Sequence, residues 1–140
     1  MRAIDMEEAA IVSRWPVWAR LLWWVLTSEV WALRRGRTVL ALYGIKSMEE
    51  HQEGLGCIWQ LATYDAGLDW NKPHIYAASA AFVEDCQRRF PVLGNAVYAK
   101  NTRALRFVKR LGFIVQPAMV VHGALFHPIA RSACVDSSRG

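Results

Sequence analysis

The clearest hydrophobic rhythm in the chain lies in residues 101–113. Ala104, Leu105, Phe107, Val108 and Leu111 recur at helical spacing and make one apolar face, while Arg103, Arg106 and Arg110 fall on another with Lys109 beside them. Asn101 is placed to cap this helix, because its side-chain oxygen can accept a free amide of the first turn. Gly112 stops it as a residue that tolerates a left-handed backbone, and Phe113 opens a new apolar run, Phe-Ile-Val. Upstream, Asn95-Ala-Val-Tyr-Ala99 reads as a strand. The pattern predicts strand, capped helix, glycine stop, strand.

The same rhythms divide the rest of the chain. Asp5 and Glu8 have capping-box spacing and predict a helix through Met6–Arg14, which Pro16 interrupts. A second helix, from Val17 to about Thr27, carries Trp18, Leu21, Leu22, Val25 and Leu26 on one face. Trp15, Trp23 and Trp24 make it apolar nearly all round, as a helix buried against the sheet or as a docking surface for another protein. Two β-prone runs, Ser28–Leu33 and Thr38–Tyr43, flank Arg34-Arg-Gly-Arg37 and predict a hairpin. A polar connection over Gly44–Gly56 leads to the strand Gly56–Ala62. After a loop, Asp69 or Asn71 can cap a helix with Pro73 in its first turn and Ile75, Ala78, Phe82, Cys86 and Phe90 on its inward stripe; Pro91 ends it. Val115–Val121 and Ala124–Ile129 read as two strands joined around Gly123. Residues 1–131 are expected to form one domain, and residues 132–140 a flexible tail.

Composition sharpens this. The chain has 140 residues, 54% apolar and 21% charged, which points to a globular domain with a real core. Its net charge of +5 favours approach to polyanions, and Arg34, Arg35 and Arg37 cluster at the hairpin tip, although no recognisable nucleic-acid motif is present. Cys57, Cys86 and Cys134 lack metal-ligand spacing, so no metal site is expected, and a reducing setting is the simplest assumption. The apolar run Trp15–Leu33 is broken by Arg20 and Glu29, so no membrane span is expected.

The segment from Asn101 to Phe113 resembles the C-terminal half of the GNAT (acetyl-CoA-dependent N-acetyltransferase) fold, whose motif is roughly N-x-x-A-x-x-L-Y-x-x-x-G-F. Asn101, Ala104, Phe107, Leu111, Gly112 and Phe113 match it, but Val108 stands where the family often has a tyrosine acting as general acid. The resemblance implies an α/β domain with a mixed, mostly antiparallel sheet flanked by helices. It also implies a loop of backbone amides for the pyrophosphate of coenzyme A (CoA), a base on the central strand and an acid for the CoA thiolate. The matching loop, Asp65–Pro73, has one glycine, two carboxylates and a proline, and Cys57–Ala62 contains no carboxylate. Tyr98 and Tyr64 are the candidate replacements for the missing acid, with His74 and His127 behind them; Gly67, Asn71 and Asn101 are the candidate cofactor contacts. The expectation is that no cofactor is bound, or acetyl-CoA if the chain is an enzyme.

A narrower resemblance covers about Trp23 to Arg131. Ser28-Glu-Val-Trp31, Leu42-Tyr-Gly44, Gly56-Cys-Ile-Trp59, Phe90–Asn101 and Arg106–Phe113 follow the order and spacing of GNAT-like proteins of short-tailed bacteriophages, the internal virion protein A type. It implies a protein of virion assembly or genome ejection, in the host cytoplasm during infection or in the virion, with other virion or assembly proteins as partners. Trp15, Trp18, Trp23, Trp24, Arg34, Arg35 and Arg37 are the interface candidates, with a homo-oligomer and nucleic acid as further partners to test.

Overall fold

The computed structural model describes residues 17–63, 68 and 70–133. The helix expected at Met6–Arg14 and the candidates Trp15, Tyr64 and Gly67 lie outside the described residues, as do the side chains of Trp18 and Trp24. The elements run α1 (Val17–Thr27), β1 (Glu29–Arg35), β2 (Thr38–Ser47), β3 (Leu55–Ala62), α2 (Lys72–Arg89), β4 (Val92–Tyr98), α3 (Thr102–Arg110), β5 (Ile114–Val115), β6 (Met119–Val121) and β7 (Ala124–Ser132). Together the strands form one seven-stranded sheet in the order β1-β2-β3-β4-β7-β5, with β6 also on β7. Among the described residues only β3 and β4 pair in parallel, and every other pairing is antiparallel.

Two hairpins are set by turn chemistry. At the β1–β2 turn Gly36 has φ +62°, and at the β6–β7 turn His122 and Gly123 have φ +49° and +80°, the left-handed pair that suits the twist of a two-residue hairpin. The strand expected at Val115–Val121 is split around Gln116–Ala118, because Pro117 cannot donate to a ladder. The polar connection expected from Gly44 is shorter than predicted. β2 continues through Ser47 because Gly44 pairs with Trp59 and Ile45 with Ile58. A Cβ on Gly44 would lie 2.0 Å from Trp59 Cε2, so the indole rests on that glycine.

One face of the sheet carries the main core. Ile45, Ile58, Leu93, Val97 and Ile129 meet Val83, Cys86 and Phe90 at the α2 end, with Ala104, Leu105 and Val108 of α3 packed against them. A second cluster joins Leu40, Ala41, Tyr43 and Ile75, with Leu33 and Phe107 against it. The expected α2 stripe holds at Ile75, Cys86 and Phe90, but shifts by one residue in the middle: Ser79 and Val83 are buried, while Ala78 and Phe82 are half-buried. Ser79 is tolerated there because its hydroxyl meets Tyr43 Oη at 2.8 Å. On the other face, α1 lies against β1, and Lys46 Nζ sits 3.6 Å from the centre of the Trp23 ring.

Candidate functional site

The parallel strands β3 and β4 define the site. They pair at Leu55↔Val92, Gly56↔Leu93 and Cys57↔Gly94, and beyond that point the strands separate. β3 stays paired to β2 as far as Ala62, and β4 stays paired to β7 as far as Tyr98, so each arm of the divergence is held from its far side. At the apex, Asn95 Nδ2 donates to the Ile58 carbonyl at 2.7 Å, and Asn95 Oδ1 accepts the Ala96 amide at 2.7 Å. A side-chain amide therefore takes the place of the next rung of the ladder. The sequence contains a signal for this residue, an asparagine inside an apolar strand, but sequence reasoning did not single it out.

The side chains along the two arms are mostly committed elsewhere. Ile58 and Val97 belong to the core. Trp59 covers Gly44 and donates from Nε1 to Ser28 Oγ at 3.1 Å. Tyr98 is 5% exposed, its ring 5.5 Å from that of Phe126. Val108, at the position of the family's tyrosine, packs against the core. No carboxylate or histidine lies on β3.

The mouth of the divergence faces the start of α2. Asn71 occupies the N-cap position and is 3% exposed, yet its side chain makes no capping bond. Instead Arg35 Nη1 donates to Asn71 Oδ1 at 2.8 Å and to the Trp70 carbonyl at 3.1 Å. Arg35 is thereby tied to the start of α2, although it is exposed like Arg34 and Arg37. Pro73 stands in the first turn, as predicted, and removes one of the amides that an anion could use. Asn101 caps α3, accepting the Ala104 amide at 3.3 Å, and is 4% exposed. The side-chain oxygens of Asn71 and Asn101 thus both accept bonds within the fold.

Cysteine chemistry is disfavoured. Burial pushes the Cys57 thiol up to about 11, against a smaller opposing effect of Lys46, and burial likewise pushes Cys86 up to about 11. A thiol so held stays protonated and unreactive near neutrality. Cys57 lines a cleft of about 420 Å³ with Met48, Gln52, Leu55, Gly94 and Asn95, reaching along the paired part of β3 and β4 to the apex of the divergence. Among the described residues no group of three or more His, Cys, Asp or Glu could hold a metal. Also among the described residues, no helix is long and apolar enough to cross a membrane.

Among the described residues, Asn95 bridges the apex, Arg35 donates to the Asn71 side-chain oxygen, and neither β3 nor β4 carries a carboxylate that could take a proton from an amine.

The sequence matches no protein-family model and no curated protein sequence. Solved structures do match in fold. A ribosomal-protein-alanine N-acetyltransferase from Brucella melitensis superposes with TM-score 0.65 at 11% identity, over 92% of this chain and 91% of that one. Aminoglycoside acetyltransferase AAC(6')-Ib in complex with coenzyme A superposes with TM-score 0.62 at 15% identity, over 81% of this chain and 72% of the other. A GNAT-family acetyltransferase from Streptococcus pneumoniae gives 0.59 at 7% identity; the match covers 76% of this chain and 66% of that one. The chain therefore has the fold of the GNAT acetyltransferases.

Proposed function

We propose that this chain is a virion-associated structural or assembly protein of a short-tailed bacteriophage, built on a GNAT fold that does not transfer acetyl groups. The observation that carries the non-catalytic part is the Asn95 amide bonded to the Ile58 carbonyl where the two strands part. Val108, half-buried against the core, supports it, because a valine cannot reprotonate a thiolate. The virion part rests on the order and spacing of the segments between Trp23 and Arg131. Other virion or assembly proteins are the partners in this reading. Helix α1 is the surface offered to them, where Trp23, Leu22 and Leu26 are 39%, 50% and 73% exposed.

A second reading is an acetyl-CoA-dependent N-acetyltransferase acting on a phage or host amine. The separation of β3 from β4 favours it, since a divergence held open from both sides can admit an extended chain. Calorimetric titration of the purified protein with acetyl-CoA decides between them. The scaffold reading expects no binding up to millimolar concentration. Micromolar binding, with acetyl transfer to an amine that is lost in Tyr98→Phe, refutes it.

A further inference from the structure

Charge along this fold is sorted to its two ends. Every acidic residue in the described part of the chain, Glu29, Glu49, Glu50, Glu53, Glu84 and Asp85, lies at one end of the sheet or beside it. Glu29 opens β1, Glu49, Glu50 and Glu53 occupy the β2–β3 connection, and Glu84 and Asp85 are in the last turns of α2. Cations at this end are already matched: Arg88 pairs with Asp85, Arg89 with Glu29 and Arg131 with Glu84.

The opposite end is different. The β1–β2 turn carries Arg34 and Arg37, the end of β4 leads into Lys100, and the first turns of α3 carry Arg103 and Arg106. All five are exposed, and among the described residues none is in an ion pair. The 18 residues of α2 separate the two ends by about 27 Å, well beyond the Debye length of roughly 8 Å at physiological salt. The distant acids therefore do not neutralise the basic end. Among the described residues the acids are confined to one end, and the five exposed cations make the other end a positive field.

We infer that this basic rim binds the phosphate backbone of nucleic acid, independently of sequence. Arg34 and Arg37 contact phosphates from the hairpin, while Lys100, Arg103 and Arg106 do so from the start of α3. From the hairpin to the end of β4 the rim crosses β2, β3 and the widened β3–β4 gap, more than about 15 Å at the usual strand spacing, room for at least about four phosphates of one strand. Nothing in the rim reads base edges: its side chains are flexible cations on a turn and a helix face, which position a backbone but do not specify a sequence. This goes beyond the scaffold reading and does not depend on it.

The test is fluorescence anisotropy of the full chain with a short, end-labelled DNA duplex of mixed sequence, titrated across a range of KCl. About four phosphate contacts predict that affinity falls about 150-fold between about 50 and 200 mM salt. The double variant Arg34→Gln/Arg37→Gln should lower the log–log salt slope by about 2, and Arg103→Gln/Arg106→Gln by a similar amount. Arg88→Gln, at the acidic end, should change neither affinity nor slope. All variants must retain the wild-type melting temperature. A lack of binding at low salt overturns the proposal, and so does an equal effect of Arg88→Gln, which would mean that net charge alone is at work. Release of the duplex by millimolar CoA at matched ionic strength also overturns it, because the rim would then belong to a nucleotide cofactor.

Discussion

Gly44→Ala tests the packing that extends β2 past its expected end. A Cβ on residue 44 would meet Trp59 at 2.0 Å from Cε2, 2.1 Å from Cζ2 and 2.5 Å from Nε1, all too close to be absorbed without moving the ring. The ring is also tied, through its Nε1–H, to Ser28 Oγ at 3.1 Å. Overpacking of this kind costs about 1–3 kcal/mol. Breaking the indole hydrogen bond adds about 1 kcal/mol, whereas the lower chain entropy of alanine returns about 0.4–1 kcal/mol. The net expectation is a loss of about 2–3 kcal/mol. For a domain of this size that is a fall in melting temperature of about 8 °C. Urea unfolding followed by far-ultraviolet circular dichroism measures it, with an unchanged m-value showing that the denatured state is not the cause. The clash hypothesis makes a sharper demand in the Trp59→Ala background, where no ring remains to collide with. There Gly44→Ala should be neutral or slightly stabilising, a coupling of about 2–3 kcal/mol. An equal loss in both backgrounds would refute the idea that the indole seats on Gly44.

Three further outcomes follow from the same structure. Burial raises the Tyr43 hydroxyl above its ordinary value, with the bond to Ser79 opposing it, so the folded state holds this proton more tightly than the unfolded one. Stability from that difference is present below about pH 10 and is lost as pH rises through the folded value; Tyr43→Phe should flatten this alkaline limb and cost about 1–2 kcal/mol at neutral pH. Asn101→Ala removes the bond to the Ala104 amide and should cost about 1 kcal/mol in chemical denaturation, with Asn101→Asp retaining most of it. A thiol reagent at pH 8 should leave Cys57 and Cys86 unmodified in the native protein and label them on unfolding; rapid labelling of either in the native state would contradict their raised thiols.

The sequence by itself determined what is local. The apolar face of α3, its asparagine cap and its glycine stop follow from spacing and side-chain chemistry within thirteen residues, and Asn101 caps the helix with Gly112 at φ +93° as expected. The first hairpin follows in the same way from a glycine between β-prone runs, as does Pro73 in the first turn of α2, while the mixed, mostly antiparallel architecture was implied by the family resemblance. What the sequence could not reveal depends on partners distant along the chain. Gly44 looks like the start of a loop until Trp59 is placed across from it, fifteen residues later. Ser79 looks polar and outward until the Tyr43 hydroxyl reaches it from β2. Arg35 is indistinguishable from Arg34 and Arg37 in sequence, and only strand alternation and the approach of α2 turn it toward Asn71. Asn95 could bridge the apex of the β3–β4 divergence only once two parallel strands had been brought side by side by a helix. Capping and turn preferences act within one or two turns of chain, and composition reports them directly. Steric seats and buried hydrogen bonds are satisfied across the sheet, so tertiary packing alone decided which residues fill them.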